Sequence, residues 1–401
     1  MAAAAEAAGS FRAKPEWSPF FRDALAAEDY LDCSLASPAP AWADAAGGAA
    51  VEDDDEGSAK PLWLALRHPG GACHTRASLD TFEQLDDKLV LAKALASAGL
   101  TDLAPPQLTF EHDDSYETIV ESIQANPPAA LGPVKDGEGP VWVLKWAQGF
   151  GGQDIHFVRS ASEAAAIITA AFEQNEAMRE AMPGMGAWVP GMEDSGEQQP
   201  GWVLQSMVPS VLLRGRKIHL RTYVVALRSN PQPQREPKMP NSELQFFAYT
   251  RHEVRLAAAQ MSDDLTDSNA HLTTGVWRRG GVVDDRTTLD AVPELHHLEP
   301  AVMQLLNKLF LSLPFSCEER GPARSEGDRA FGMSGIDLMA TEDGRIFVLE
   351  LNASPAAAPV DTITEEHRQH CSGFAQSLVQ LVRSDAPETV DGWIRVGVAP
   401  S

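Results

Sequence analysis

Short apolar runs bounded by Gly, Pro and polar clusters recur along the chain, and each reads as a strand: PLWLALRH (61–68), QLTF (107–110), VWVLKW (141–146), DIHFVRS (154–160), WVLQSMV (202–208) and IHLRTYVVALR (218–228). GIDLMATEDGRIFVLELN (335–352) contains two such runs around Asp343-Gly344, the favoured pair for a two-residue hairpin turn. Helical spacing marks 78–100, 161–180, about 299–311 and about 364–383. Asp80 with Glu83 predicts a capping box at the start of the first helix, and Gly99 its end. Strands alternating with helices predict an α/β or α+β architecture. Three polar stretches interrupt the pattern: an acidic Ala/Pro/Gly-rich run at 36–59, read as a disordered linker, and exposed segments at 190–201 and 230–242.

A length of 401 residues allows two or three domains. The net charge of −25 argues against a surface built for nucleic acid or an anionic membrane, so neither is expected as a partner. Four dispersed cysteines, no apolar run near the ~18 residues of a membrane span, and an amino-terminal stretch with neither a basic nor a Leu-rich region predict a cytoplasmic protein.

Within this pattern the hairpin carries the strongest chemistry. A turn pairing Glu342 with Arg345 sets Asp337 opposite Glu350 and Gly335 opposite Asn352, so Asp337, Glu350 and Asn352 share one face. Two facing carboxylates in apolar strands repel, and a divalent cation with oxygen ligands relieves that cost; magnesium held against a nucleotide fits. Either acid alone has a second reading, an ion pair with an arginine. Lys145, at the end of VWVLKW, precedes Gly149, Gly151 and Gly152, an amine and a glycine loop suited to phosphates. The loop has neither the P-loop nor the dinucleotide-fingerprint spacing, and a plain tight turn is its other reading. From Gln205 to Arg228 the chain has Arg214, Arg216, Lys217, Arg221 and Arg228 and no acid, a local basic window able to meet an anion, or else a charged strand edge. Lys217, His219, Arg221 and Tyr223 fall on one face of that strand. Arg255, His271 and Thr273 are further polar candidates. His367, His370 and Cys371 are read as a solvated helix face rather than a metal site.

Taken in order, WVLKW with its glycine loop, WVLQSMVPSVLLRGRKIHLRTYVVA, FAYTRHEVRLA, HLTTG and SGIDLMATEDGRIFVLELNASP resemble the tubulin-tyrosine-ligase-like family of ATP-grasp ligases over about 61–385. The resemblance implies an α+β ATP-grasp fold with a smaller N-terminal domain. On that mapping 1–60 is an N-terminal region with the acidic linker, 61–110 a small preceding domain, 111–204 the central subdomain, 205–390 the C-terminal subdomain with the metal site, and 391–401 a tail. It also implies ATP- and Mg2+-dependent joining of a free amino acid to a carboxylate of tubulin or another protein, with possible sites of action on microtubules in the cytoplasm. Lys145 and the glycines then meet phosphates, and Gln205, Ser206, Met207 and Val208 edge the adenine. Asp337, Glu350 and Asn352 hold the metal, while Lys217, Arg221, Arg255, His271 and Thr273 surround the reacting groups. The chain departs from the family pattern at Gly151, where lysine is usual, at His219, where an acid is usual, at Ser206-Met207 in the hinge, and at Thr274, where asparagine is usual. A divergent pseudoenzyme that binds nucleotide or microtubules without catalysis, and an ATP-grasp ligase acting on another substrate such as a small metabolite, are the alternative readings.

Overall fold

A computed structural model describes residues 10–13, 17–25, 31–32, 64–67, 74–76, 79–112, 114–132, 139–149, 152, 154–181, 201–228, 244–273, 286–316, 329–353, 355, 357, 363–385 and 387–398. The linker at 36–59, the segment at 230–242, all but Gly201 of the stretch at 190–201, and Gly151 and Thr274 lie outside them. The strands are β1 (Ser10–Ala13), β2 (Leu31–Asp32), β3 (Leu64–Arg67), β4 (His74–Arg76), β5 (Gln107–Phe110), β6 (Trp142–Trp146), β7 (Ile155–Val158), β8 (Trp202–Ser206), β9 (Leu212–Leu213), β10 (Arg216–Arg228), β11 (Leu244–Tyr249), β12 (Glu253–Leu256), β13 (Arg286–Thr288), β14 (Arg329–Ala340), β15 (Ile346–Asn352) and β16 (Trp393–Val396). The helices are α1 (Ser18–Leu25), α2 (Lys88–Ser97), α3 (Tyr116–Ala125), α4 (Ala161–Ala181), α5 (Ser268–His271), α6 (Glu299–Ser312) and α7 (Glu365–Arg383).

The α+β expectation is met. β5, β8, β6 and β7 form a four-stranded antiparallel sheet, and the other twelve strands form a larger one, antiparallel except where β1 meets β2 and β4 meets β14. The small sheet runs from Gln107 to Ser206, and β3 and β4 extend the large sheet.

Alternation along the strands decides which side chains are core and which are free for chemistry. On β10, Ile218, Leu220, Val224 and Ala226 enter a core shared with Leu305, Leu309 and Phe310 of α6. The opposite face divides: Tyr223 and Val225 pack beneath Phe374 and Leu378 of α7, while Lys217 and His219 line a cleft. β14 repeats the division, with Ile336 and Leu338 in the first core, Phe331 and Met333 in the second, and Asp337 and Met339 in the cleft. In the small sheet, Trp142 and Leu144 of β6 pack with Ile119 of α3 and Ile168 of α4, leaving Val143 and Lys145 to the cleft.

Three local expectations change. The helix expected from Asp80 starts at Lys88 instead, after a 3₁₀ turn at Glu83–Asp86, because Asp87 is its cap: the Asp87 carboxylate accepts from the amides of Leu89 at 2.8 Å and Val90 at 3.1 Å. The hairpin tip is a three-residue turn over Glu342, Asp343 and Gly344. Thr341 and Arg345 pair across it, and Gly344 takes a φ of +83°. That slips the register near the tip by one residue, to Ala340 opposite Ile346, and a bulge between Asp337 and Leu338 restores it, so Asp337 faces Glu350 and Gly335 faces Asn352 as expected. The bulge leaves Leu349 and Glu350 both lining the cleft. Finally, His367, His370 and Cys371 are not solvated; all three are buried against the sheet.

Candidate functional site

Between the two sheets lies a cleft of about 810 Å³, counted to its open mouth. The small sheet supplies Lys145, Gln205 and Ser206, and the loop between β6 and β7 supplies Gly149 and Gly152; the large sheet supplies Lys217, His219, Asp337 and Glu350. Val208, His271 and Thr273 also line it, with Phe157 and Met339 among its apolar walls. Folding therefore gathers most of the residues singled out in the sequence. Arg221, Arg255, Asn352 and Met207 are not on the cleft wall; Asn352 reaches it indirectly, its amide 3.3 Å from Glu350 Oε1, and the Met207 amide donates to Val141 at 3.1 Å. Arg214 is exposed, Arg216 donates to the Ala257 carbonyl at 2.6 Å, and of the five basic residues in the 205–228 window only Lys217 opens to the cleft.

Lys88 is a cleft residue that the sequence reading missed. At the first position of α2, it donates to the Gly149 carbonyl at 2.6 Å and stands 3.3 Å from Glu350 Oε2. It thereby links the glycine loop to a carboxylate of the opposite sheet. Only tertiary structure brings these three together, and Asp87 as a cap was the one local signal for the position.

The electrostatics are set by three buried or nearly buried amines facing two carboxylates. Burial pushes the Lys145 amine down to about 8, with Glu350 resisting and Lys88 adding to the fall; burial, then Lys145, pushes Lys217 down to about 8. Asp337 is gripped by Arg221, whose Nε and Nη2 donate to its two oxygens, the second at 2.8 Å. Burial alone would raise this carboxyl, but Arg221 and His219 hold it well below the usual range. His219 has Nε2 3.4 Å from Asp337 Oδ1 and Nδ1 2.5 Å from the Thr273 hydroxyl; burial lowers it from its usual value against the pull of Asp337. Arg255 pairs with the buried Glu253 through Nε at 2.8 Å and Nη2 at 2.7 Å. Both arginines therefore stand one layer behind the cleft, each on an acid. His271 Nε2 donates to the Asp264 carbonyl of its own loop at 2.9 Å, so Nε2 carries the proton.

As a cation site the donors are oxygen only, which suits magnesium. Glu350 is partly exposed to the cleft at 23% of its side chain, Asp337 lies at the cleft floor and Asn352 adjoins Glu350. Arg221 occupies both Asp337 oxygens and Lys88 meets Glu350, but a carboxylate oxygen can accept more than one partner. The set fits a divalent ion that shares these acids with the chain's own cations. As an anion site, two buried amines and the loop carrying Gly149 and Gly152 suit phosphate oxygens.

No protein-family model matches the chain, and no curated protein matches it. Among solved structures, the chain is similar to the C-terminal domain of K. lactis Pby1, an ATP-grasp enzyme interacting with the mRNA decapping enzyme Dcp2. The two share 15% identity with a TM-score of 0.47, over 81% of this chain and 82% of that one. Likeness at this level bears on neither substrate nor chemistry, which rest on the side chains of the cleft.

Proposed function

We propose that the chain is an ATP- and Mg2+-dependent carboxylate-amine ligase of ATP-grasp type, joining a free amino acid to a carboxylate of a protein, with tubulin the expected acceptor. The observation that carries this reading is the meeting of Lys145 and Lys217 with Asp337 and Glu350 in one cleft between two sheets. Amines alone would bind any anion, and acids alone any cation; together they suit a phosphate chain carrying a divalent ion.

ATP phosphorylates the acceptor carboxylate, and the amino acid's amine attacks the acyl phosphate and expels phosphate. No enzyme nucleophile is needed, so the chain's work is positioning and charge. Lys145 and Lys217 would hold phosphate oxygens, and the backbone around Gly149 and Gly152 would approach the same anion. Gln205 to Val208, along the end of β8, would edge the base; the Gln205 amide is fixed by Gln107 at 2.5 Å and the Ser206 hydroxyl by the Ala129 carbonyl at 2.6 Å. Asp337, Glu350 and Asn352 would hold magnesium, which when bound withdraws charge from the transferring phosphoryl group. Arg221 would orient Asp337 rather than touch substrate, and His271 and Thr273 would border the acceptor.

A second reading, a nucleotide-binding chain without ligation, draws support from the bidentate hold of Arg221 on Asp337 and from His219 in place of an acid. Incubating the protein with Mg-ATP, tubulin and labelled tyrosine, glutamate or glycine, and following label into protein, separates the two. Transfer that disappears in Glu350→Gln supports ligation and names the amino acid. ATP binding without transfer to tubulin or any other acceptor protein supports the second reading.

A further inference from the structure

Beside the cleft, on the same face of the large sheet, α7 covers a buried group of polar side chains that the proposed reaction does not use. Glu253 of β12 stands opposite Arg221 of β10 and is fully buried. Its two oxygens have different surroundings. Oε2 takes Arg255 and, at 3.6 Å, Arg286. Oε1 takes the Tyr223 hydroxyl at 2.8 Å and is also 3.9 Å from His367 Nε2 and 3.8 Å from His370 Nε2. Cys371 Sγ is 3.4 Å from His367 Nε2.

An ion-pair account of Glu253 explains Oε2 and leaves the Oε1 side unexplained. His367 and His370 are 1% and 4% exposed, yet His367 Nδ1 and both ring nitrogens of His370 have no hydrogen-bond partner. Each orphaned buried group has given up its hydration with no partner in return. Two such imidazoles converging on one carboxylate oxygen beside a thiol need a ligand to justify them.

Donor chemistry and spacing say which ligand. Tetrahedral zinc, with bonds of about 2.0–2.3 Å to N, O and S, sets its ligand atoms roughly 3.3–3.8 Å apart. Here Cys371 Sγ stands 3.4 Å from His367 Nε2, which is 3.9 Å from Glu253 Oε1, and donor atoms of Glu253, His367 and Cys371 all lie within 4.8 Å of one another. Imidazole and thiolate donors select a zinc-class ion over magnesium. We infer that Glu253, His367 and Cys371, with His370 adjoining through Glu253 Oε1, form a structural site for a zinc-class divalent ion that ties α7 to β12. Binding converts the Cys371 thiol to thiolate and releases its proton to solvent; the imidazoles have no proton to lose, since burial holds His367 down to about 3 and lowers His370 as well. The two negative charges of Glu253 and the Cys371 thiolate offset the ion beside Arg255 and Arg286. None of this depends on what the cleft does.

The test uses the full chain, with Zn2+ and Co2+ as probes. The wild-type protein is expected to retain one equivalent of zinc through gel filtration, to show a thiolate-to-cobalt charge-transfer band when loaded with Co2+, and to melt at lower temperature once a chelator strips it. Cys371→Ser should abolish the band, His370→Gln should weaken zinc by about 10–100-fold, and exposed His297→Gln should change neither. If the Cys371 variant does not fold, the wild-type stoichiometry, band and chelator melt decide alone. A natively folded wild-type chain that takes up neither ion stoichiometrically, or a folded Cys371→Ser that keeps both zinc and the band, overturns the site.

Discussion

Raising the pH from 7 to 9 should weaken ATP binding and, in the same range, stabilise the ligand-free chain. Lys145 and Lys217 are both held near 8 by burial, where an exposed lysine sits at 10.5. A group titrating at 8 is about 90% protonated at pH 7 and about 10% at pH 9, roughly a tenfold change in the charged form. If phosphate needs both ammonium groups, affinity falls by up to roughly 100-fold across that span. The stability term has the opposite sign. Below pH 8 each folded amine carries a charge that burial disfavours; the drop from 10.5 to about 8 corresponds to roughly 3 kcal/mol per lysine. Between pH 8 and 10.5 the unfolded chain binds more protons than the folded one at these positions, so their penalty is relieved as pH rises. Calorimetry of an ATP analogue at pH 7, 8 and 9, in buffers of different ionisation enthalpy, reads both affinity and proton uptake. Lys145→Arg keeps its charge throughout and should cut the pH effect to about tenfold. Affinity that is flat from pH 7 to 9 in the wild type, with no proton uptake at pH 8, would refute the assignment of these amines to phosphate.

Other outcomes follow from single contacts. Arg221→Ala strands the Asp337 carboxylate and should cost about 3–5 kcal/mol in denaturant unfolding, part of it recovered by adding Asp337→Asn; strictly additive losses would show the pair is not coupled. Gly335→Ala would place a Cβ 2.8 Å from Arg221 Cδ and 3.0 Å from Pro355 Cβ, so a loss of about 1–3 kcal/mol is expected, read from the melting transition. Asp87→Ala removes the cap of α2 and should cost about 1 kcal/mol by the same measurement, with ATP affinity reporting whether Lys88 moves.

The strands were legible because their alternation survives folding: odd positions of β10 and β14 face the cleft or the α7 core, and even ones the α6 core. The same rule was misapplied to α7. Residues 367, 370, 371, 374 and 378 follow helical spacing, so Phe374 and Leu378 already marked His367, His370 and Cys371 as inward-facing. Reading their polarity ahead of their period hid them. Lys88 could not be read, since its partners are the Gly149 carbonyl and Glu350, both remote in sequence. Nor could sequence show that Arg221 would grip Asp337, because that pair needs the register of β10 against β14; Glu253 and Arg255, two apart on β12, share a face by period two alone.

The two irregularities of the β14–β15 hairpin cancel, and that makes the tip a region where length can change without disturbing chemistry. Re-forming the tip as a two-residue turn, with Glu342 opposite Arg345, would absorb the bulge and leave Asp337 facing Glu350, and so would deleting Leu349 under the present turn. Making both changes together would set Asp337 opposite Leu351. The strand carries its own correction for the length of its loop, so the spacing of the acids is a property of the bulge rather than of the turn.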